Sequence, residues 1–356
     1  MTPDEPLAVV KQRPFAIRLI HFCGRFALGV IFCGLLLWSV GALWYDLPGP
    51  HALRKTAAAI LLLGVGFLWF SGRCKRRLTA VAIIAAVMGW WFTLKPTNDG
   101  DWQPDVAQTA SAVVNGDEVT FHNVRSTDYR TEKDFTPRWE SRTVNLSKLA
   151  GVDMAINYWG SPYMAHPIVS FQFADAPPLC FSIETRKQVG ESYSAIGGLY
   201  RQYELIYIVS DESDVIRVRT NFRKNEDIYL YRLNISPAQA RERFMEYVTS
   251  LNTLHGKPRW YNAITTNCTT SIRSQHNPKE RAKWDWRMLL NGMGDEMLYE
   301  QGAFHTGGLS FEELKKRSRI NESARAANDA PDFSARIRAD LPWFSTSPVS
   351  FSTAKP

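Results

Sequence analysis

Residues 26–45 read FALGVIFCGLLLWSVGALWY and contain no charged residue. At the helical rise of about 1.5 Å per residue, about 20 residues match a bilayer core of roughly 30 Å. The tryptophans are typical of interfacial anchors, and no small-residue cleavage site of the signal-peptide kind follows. We therefore predict a transmembrane helix at about 26–45.

Two further apolar segments follow, at about 56–72 and 78–94. Each spans about 17 residues, the lower limit for a helix that crosses a bilayer. We predict that both cross, so that three transmembrane helices follow a cytoplasmic N-terminal arm at 1–25. The alternative is a hairpin of buried or interfacial helices.

The positive charge of the chain lies beside these apolar segments. Up to Lys95 there are 11 basic and 3 acidic residues, a net charge of +8, and the totals of 42 and 35 leave 31 and 32, or −1, for the rest. Basic residues beside membrane helices set the topology and contact anionic lipids. We therefore expect membrane phospholipid as a partner, and no nucleic acid.

The positive-inside rule gives the orientation. The N-terminal arm carries four basic residues and the loop at 73–77 reads RCKRR, so both are expected in the cytoplasm. With three crossings the chain is a multi-pass protein of the bacterial inner membrane, and everything after Lys95 lies in the periplasm. Two crossings would leave the main domain in the cytoplasm.

Residues 96–305 are predicted to form that domain, with a core at about 150–275. Short runs rich in β-branched and aromatic residues predict one antiparallel sheet. They lie at 119–124, 154–158, 168–173, 179–183, 203–209 and 228–233.

A long helix is expected to follow the sheet. Ser236 and Gln239 form a capping box around a proline at the first helical position. Apolar residues then repeat at helical spacing until Gly256. Sheet and helix together indicate the α+β class, and the polar region 306–356 is predicted to be a tail with one short helix at 309–317.

Cys268 is the candidate nucleophile. Residues 260–271 read WYNAITTNCTTS, in which Asn267 is a good N-cap and Thr269 can begin a helix. A helix N-terminus lowers the pKa of a thiol, and backbone N–H groups around Asn267 and Thr269 can stabilise an oxyanion. The alternatives are an inert buried cysteine and a disulfide with Cys180. The cysteine spacing indicates no metal site, and we predict no cofactor.

A thiol nucleophile needs a base, and His166 is the candidate. A hairpin around the Ala-Pro-Pro loop would pair residues whose numbers sum to about 352, with His166, Ser182 and Glu184 on one face. Glu184 can then orient the imidazole, although an ion pair with Arg186 explains it equally well. Arg186, Arg217 and Arg219 are candidates for holding a phosphate, with solvated strand charges as the alternative.

Several motifs together suggest a family. They are NYWG at 157–160, AH at 165–166, SIETR at 182–186, YELIY at 203–207, DVIR at 214–217 and YNAITTNCTT at 261–270. This pattern resembles the Lnb N-terminal periplasmic domain family. The resemblance implies a circularly permuted papain-like fold, in which a catalytic His precedes the Cys, and the activity of a lipoprotein N-acyltransferase. His166 and Cys268 match those two positions in that order.

We therefore predict a membrane-anchored periplasmic thiol acyltransferase that acts on lipid or lipoprotein substrates. Cys268 would attack an ester carbonyl while His166 takes the thiol proton, and an amine would then accept the acyl group. The alternatives are a cysteine-dependent amidase or peptidase of the cell envelope and a non-catalytic envelope binding or assembly module. The sequence does not indicate an oligomeric state.

Overall fold

The computed structural model describes residues 15–276, 285–288 and 291–341. The chain divides into two compact units, Met1–Lys95 and Pro96–Pro356. Most of the predicted N-terminal arm, residues 1–14, lies outside the described residues, as do residues 342–356 of the predicted tail. The helices of the first unit are α1 (Phe15–Asp46), α2 (His51–Phe70) and α3 (Cys74–Thr93).

Two of these helices, α1 over Leu19–Asp46 and α2, are long and apolar enough to cross a membrane. α3 has the same length as α2, but three basic residues in its first turn, Lys75 to Arg77, make it less apolar. Large apolar side chains such as Leu63 and Phe70 are exposed on α2. Apolar exposure of this kind is expected where helices face lipid.

The second unit is built on one eight-stranded sheet in the order β1-β2-β9-β8-β7-β6-β10, with β5 paired to β2. Its neighbours are antiparallel except for β2 and β9. A separate ribbon is formed by β3 and β4. The strands are β1 (Ser111–Asn115), β2 (Glu118–Arg125), β3 (Asp128–Tyr129), β4 (Phe135–Thr136), β5 (Trp139–Asn145), β6 (Leu149–Trp159), β7 (Ser161–Phe173), β8 (Leu179–Arg186), β9 (Glu204–Ser210) and β10 (Glu226–Arg232).

The six predicted strands correspond to β2 and to β6 through β10. β1 and β5 are additional strands that the sequence did not predict. Most of their side chains are exposed or half-buried, so the alternation of polar and apolar residues is weak in both.

The helices of the second unit are α4 (Glu212–Val215), α5 (Pro237–Gly256), α6 (Cys268–Gln275), α7 (Gly294–Glu300), α8 (Phe311–Ser318), α9 (Asn321–Ala327) and α10 (Phe333–Arg336). Both hydrogen bonds of the predicted capping box between Ser236 and Gln239 are present at the start of α5. Phe244 of α5 packs edge-on against Phe171 and Phe181, with ring centroids 5.0 and 6.0 Å apart. α5 therefore covers one face of the sheet, and the unit has the predicted mixed α+β character.

The other face is covered by the segment that the sequence analysis assigned to a polar tail. Ile320, Phe333 and Ile337 are buried in one apolar core with Ile168 and Leu230 of the sheet. The predicted domain end at residue 305 is therefore wrong, because the chain remains packed on the domain as far as Leu341. The apolar residues of this segment are too widely spaced among polar ones to give a clear periodic signal.

A buried charge cluster fastens this segment to the sheet. Arg338 donates to Asp153 Oδ2 at 2.8 Å and to Glu212 Oε2 at 2.6 Å, and Arg232 forms an ion pair with the same Asp153. Both carboxylates are fully buried. Buried charges are tolerated only when they are paired, so the position of Arg338 depends on these contacts.

We predict that Arg338→Ala lowers the free energy of unfolding of the second unit by ~3–5 kcal/mol, because two buried carboxylates lose a cation. The control is Arg336→Ala, which removes an arginine whose ion pair with Asp332 is largely exposed. We expect this control to cost less than ~1 kcal/mol. Thermal and denaturant melting of the full-length protein in detergent measures both. Equal free energies of unfolding for the two variants would show that the buried charge cluster does not hold the C-terminal segment on the sheet.

Candidate functional site

A cavity of about 490 Å³ lies where β7 and β8 stop pairing. The two strands pair from Phe171↔Leu179 to Ile168↔Ser182. Beyond that point β7 continues along β6 and β8 continues along β9. His166 of β7 and Glu184 of β8 both line the cavity.

The paired residue numbers in this hairpin sum to 350, whereas the sequence analysis expected about 352. A shift of two residues leaves every side chain on the same face of the sheet. The predicted common face of His166, Ser182 and Glu184 is therefore unaffected by the error.

Cys268 lines the same cavity at the first turn of α6. Asn267 caps this helix as predicted, since its Oδ1 accepts from Thr270 N at 2.9 Å and its N–H donates to Thr270 Oγ1 at 2.9 Å. The thiol is buried, with Thr269 Oγ1 3.9 Å from its sulfur. Its Oδ1 serves the cap and its Nδ2 donates to Ala263 O at 2.9 Å, so Asn267 fixes the start of the helix at the wall of the cavity.

Asn291 is a further residue of the site, which the sequence analysis missed. It lines the cavity, and its Nδ2 donates to Cys268 Sγ at 3.6 Å. The next residue, Gly292, is held by a hydrogen bond from Tyr158 Oη to its carbonyl at 2.9 Å. A Cβ on Gly292 would lie 2.1 Å from the carbonyl oxygen of Pro162, so only glycine fits here. The only local signal is an Asn-Gly pair, which is typical of a turn and does not indicate contact with a cysteine.

His166, Ser182 and Glu184 form a chain of hydrogen bonds. His166 Nε2 lies 2.7 Å from Ser182 Oγ, which lies 2.7 Å from Glu184 Oε1. Arg219 Nη2 donates to the same carboxylate oxygen at 2.9 Å. The sequence analysis expected Glu184 to approach the imidazole directly, but Ser182 stands between them.

This chain determines which imidazole nitrogen carries the proton. A hydroxyl has one hydrogen, and Ser182 must donate it to the ionised Glu184, which only accepts. Ser182 therefore accepts from the Nε2–H of His166. The lone pair is then on Nδ1, which makes no hydrogen bond within the described part of the chain. Nδ1 is the nitrogen available to take a proton.

Burial is the main reason that both Cys268 and His166 are neutral. Burial raises the pKa of the Cys268 thiol to about 11, although contacts with Thr269 act in the opposite direction. Burial and the charge of Arg219 lower the pKa of His166 to about 4. Burial alone would raise the pKa of Glu184, but Arg219 and Arg125 hold it well below the ordinary value. The sequence expectation of a low thiol pKa is therefore wrong, because burial outweighs the helix N-terminus.

Two arginines predicted to hold a phosphate lie elsewhere. Arg186 donates to the carbonyls of Val106 and Ala107 at 3.0 and 2.7 Å. Arg217 donates to Ser213 O at 2.8 Å and forms an ion pair with Asp329. Neither lines the cavity, whereas the third candidate, Arg219, lines it together with Arg223 among the described residues.

The other predicted residues differ in their outcome. The side chain of Thr269 lines a neighbouring apolar cavity instead of this one. Cys180 and Cys268 are both free thiols, so the alternative of a disulfide does not hold. Cys180 is buried in the core beside Ile168 and Phe333.

Comparison with known proteins gives one match. Residues 135–292 match the family model of the Lnb N-terminal periplasmic domain. No curated protein and no solved structure gave a significant match. The matched segment contains His166, Cys268 and Asn291. Together with the two candidate membrane helices, the match to the Lnb N-terminal periplasmic domain indicates a membrane-anchored periplasmic protein.

Proposed function

We propose that the protein is a thiol acyltransferase of the bacterial inner membrane, with Cys268 as nucleophile and His166 as base. The observation that carries this proposal is that both residues line one cavity while the hydrogen-bond chain through Ser182 leaves His166 Nδ1 free. This arrangement has the parts of a nucleophile, a base and a group that orients the base. The family match and the predicted permuted papain-like order of His before Cys support the same assignment.

In the first step an ester carbonyl of a phospholipid enters the cavity. His166 Nδ1 takes the thiol proton as the sulfur of Cys268 attacks the carbonyl carbon. The C–O bond then breaks, the proton passes to the leaving alkoxide, and a thioester remains on Cys268. Because thiol and imidazole are both neutral at rest, proton transfer accompanies the attack, and no exposed thiolate is present between turnovers.

In the second step an amine attacks the thioester. His166 takes a proton from the amine, and the sulfur leaves as the acyl group forms an amide. The proton then returns to the sulfur, so the enzyme ends in its starting state. The N-terminal amine of a lipoprotein is the acceptor that fits the family resemblance.

Asn291 is our candidate for stabilising the oxyanion in both steps. Its amide N–H lies close enough to Cys268 Sγ to reach the oxygen of a carbonyl bound to that sulfur. The backbone N–H groups at the start of α6, at Cys268 and Thr269, contact the thiol and are the second source of donors. Asn267 supports them by capping the helix.

We propose that α3 is the third membrane crossing. The apolar part of this helix begins after Arg77, and the basic residues at its start are then its cytoplasmic end. Three crossings with a cytoplasmic N-terminus place the second unit in the periplasm, in agreement with the periplasmic family match.

We predict that Cys268 carries an acyl group after incubation of the full-length protein with vesicles of an alkyne-tagged phospholipid. Click labelling should be removed by hydroxylamine, which cleaves thioesters, and abolished by Cys268→Ala. His166→Ala should slow labelling by about 100-fold or more, the usual contribution of a general base. The control is Cys180→Ala, which removes a buried cysteine of the opposite core and should label normally.

Absence of a Cys268-linked acyl group in a folded protein would overturn the proposal. The product that carries the alkyne-tagged acyl group distinguishes an acyltransferase from a hydrolase. Transfer to an added lipopeptide amine is the result expected of an acyltransferase, whereas release of free fatty acid as the only product would identify a hydrolase.

We predict that an alkaline phosphatase fused after Asp101 is active, because that enzyme folds only in the oxidising periplasm. A fusion in the loop at 73–77 is the matched control and should be inactive. An inactive but intact fusion after Asp101 would contradict the third crossing and place the domain in the cytoplasm.

A further inference from the structure

A second cavity, of about 210 Å³, lies beside the first turn of α6 and shares the lining residue Asn291 with the first cavity. Its wall is formed by β6 and β7 of the sheet and by α5, α6 and α7. Most of the lining side chains are apolar, and they include Met154, Val169, Ile272, Met297, Leu298 and Ala303.

This cavity begins beside the atoms that react in the proposed mechanism. Asn291, whose amide donates to Cys268 Sγ, lines both cavities. Thr269 and Pro167, the residues that follow Cys268 and His166, line the second cavity. Cys268 itself lines the first cavity, and the two cavities share a wall at Asn291, next to the sulfur.

Polar side chains are a minority at this cavity, six of the nineteen lining residues: Arg243, Tyr247, Thr269, Arg273, His276 and Asn291. Arg243 and His276 both contact Glu246, at 2.9 and 2.6 Å. Within the described residues, Asn291 Oδ1 and Tyr247 Oη are buried and have no hydrogen-bond partner. With so few partners, water inside this cavity is poorly bound, and an apolar group displaces it easily.

We propose that this second cavity binds the fatty acyl chain while its carbonyl carbon is attached to Cys268. The inference rests on the proposed thioester and specifies its substrate class as a fatty acyl group. A liquid water molecule, which is about as large as a methylene group, occupies about 30 Å³, so the cavity has room for on the order of seven such groups. Each buried methylene raises the affinity by about threefold to fourfold.

The test compares acylation of Cys268 by p-nitrophenyl acetate and p-nitrophenyl octanoate, with the full-length protein in nanodiscs. We expect kcat/KM for the octanoyl ester to exceed that for the acetyl ester by about 100-fold or more, since six additional methylene groups enter the cavity. Ala303→Trp fills the cavity and should lower the octanoyl value by about tenfold or more, with the acetyl value changed less than about twofold.

Two further variants complete the comparison. Leu298→Trp fills the cavity from α7 and should reproduce the effect if Ala303→Trp fails to fold. Ala326→Trp places the same side chain at an exposed position on α9 and is the matched control. Equal kcat/KM for the two esters, or equal slowing of both by the filling variants, would overturn the acyl pocket and leave the Cys268 mechanism standing.

A binding measurement separates this proposal from the proposed function. Saturable binding of carboxyl-labelled octanoate to the Cys268→Ala protein, followed by NMR, does not depend on thiol chemistry. Binding that Ala303→Trp abolishes supports the pocket even if Cys268 is never acylated. Absence of saturable binding to the Cys268→Ala protein overturns it.

Discussion

The hydrogen bond from His166 Nε2 to Ser182 Oγ, 2.7 Å long, joins β7 and β8 where their backbone pairing ends. If β7 and β8 continued to pair beyond that point, their backbones would close the cavity. If no hydrogen bond linked them there, the imidazole of His166 would be free to rotate. The side-chain hydrogen bond links the two strands, and the space between their backbones stays open. The candidate site therefore depends on one side-chain hydrogen bond at the point where the backbone hydrogen bonds between the two strands end.

The bond also decides the chemistry of the imidazole. Because Ser182 donates its one hydrogen to Glu184, it must accept from His166. Glu184 stays ionised because Arg219 and Arg125 offset its burial. Burial, together with the charge of Arg219, lowers the pKa of His166 and so disfavours its protonated form. This buried environment thus keeps the carboxylate charged and the base neutral, which is the state a general base needs before it reacts.

The sequence predicted the parts of the fold that depend on local patterns. The strands β6 to β10 and the helix from Ser236 to Gly256 follow from alternation, helical spacing and capping. The cap at Asn267 put Cys268 at the start of α6. His166 and Glu184 were placed on one face correctly despite a register error of two.

The features of the fold and of the site that the sequence did not predict depend on contacts between residues distant in the chain. Asn291 reaches the sulfur only because Gly292 fits against Pro162, and the segment around Phe333 covers the sheet through Arg338 and a buried apolar core. The thiol pKa was predicted in the wrong direction because a cap is visible in the sequence whereas burial is not. Arg186 was taken for a phosphate ligand because its carbonyl partners near Val106 lie 79 and 80 residues away in the chain.

The central claim is that neutral His166 acts as the base for a neutral Cys268 thiol. The most direct measurement is the pH dependence of kcat/KM for acylation of Cys268 by a water-soluble ester, followed by intact mass. Activity should fall on the acid side with a pKa near 4, at which His166 becomes protonated, and this limb should disappear in His166→Ala. A profile that rises only as the thiol ionises, with the same shape in His166→Ala, would contradict the account.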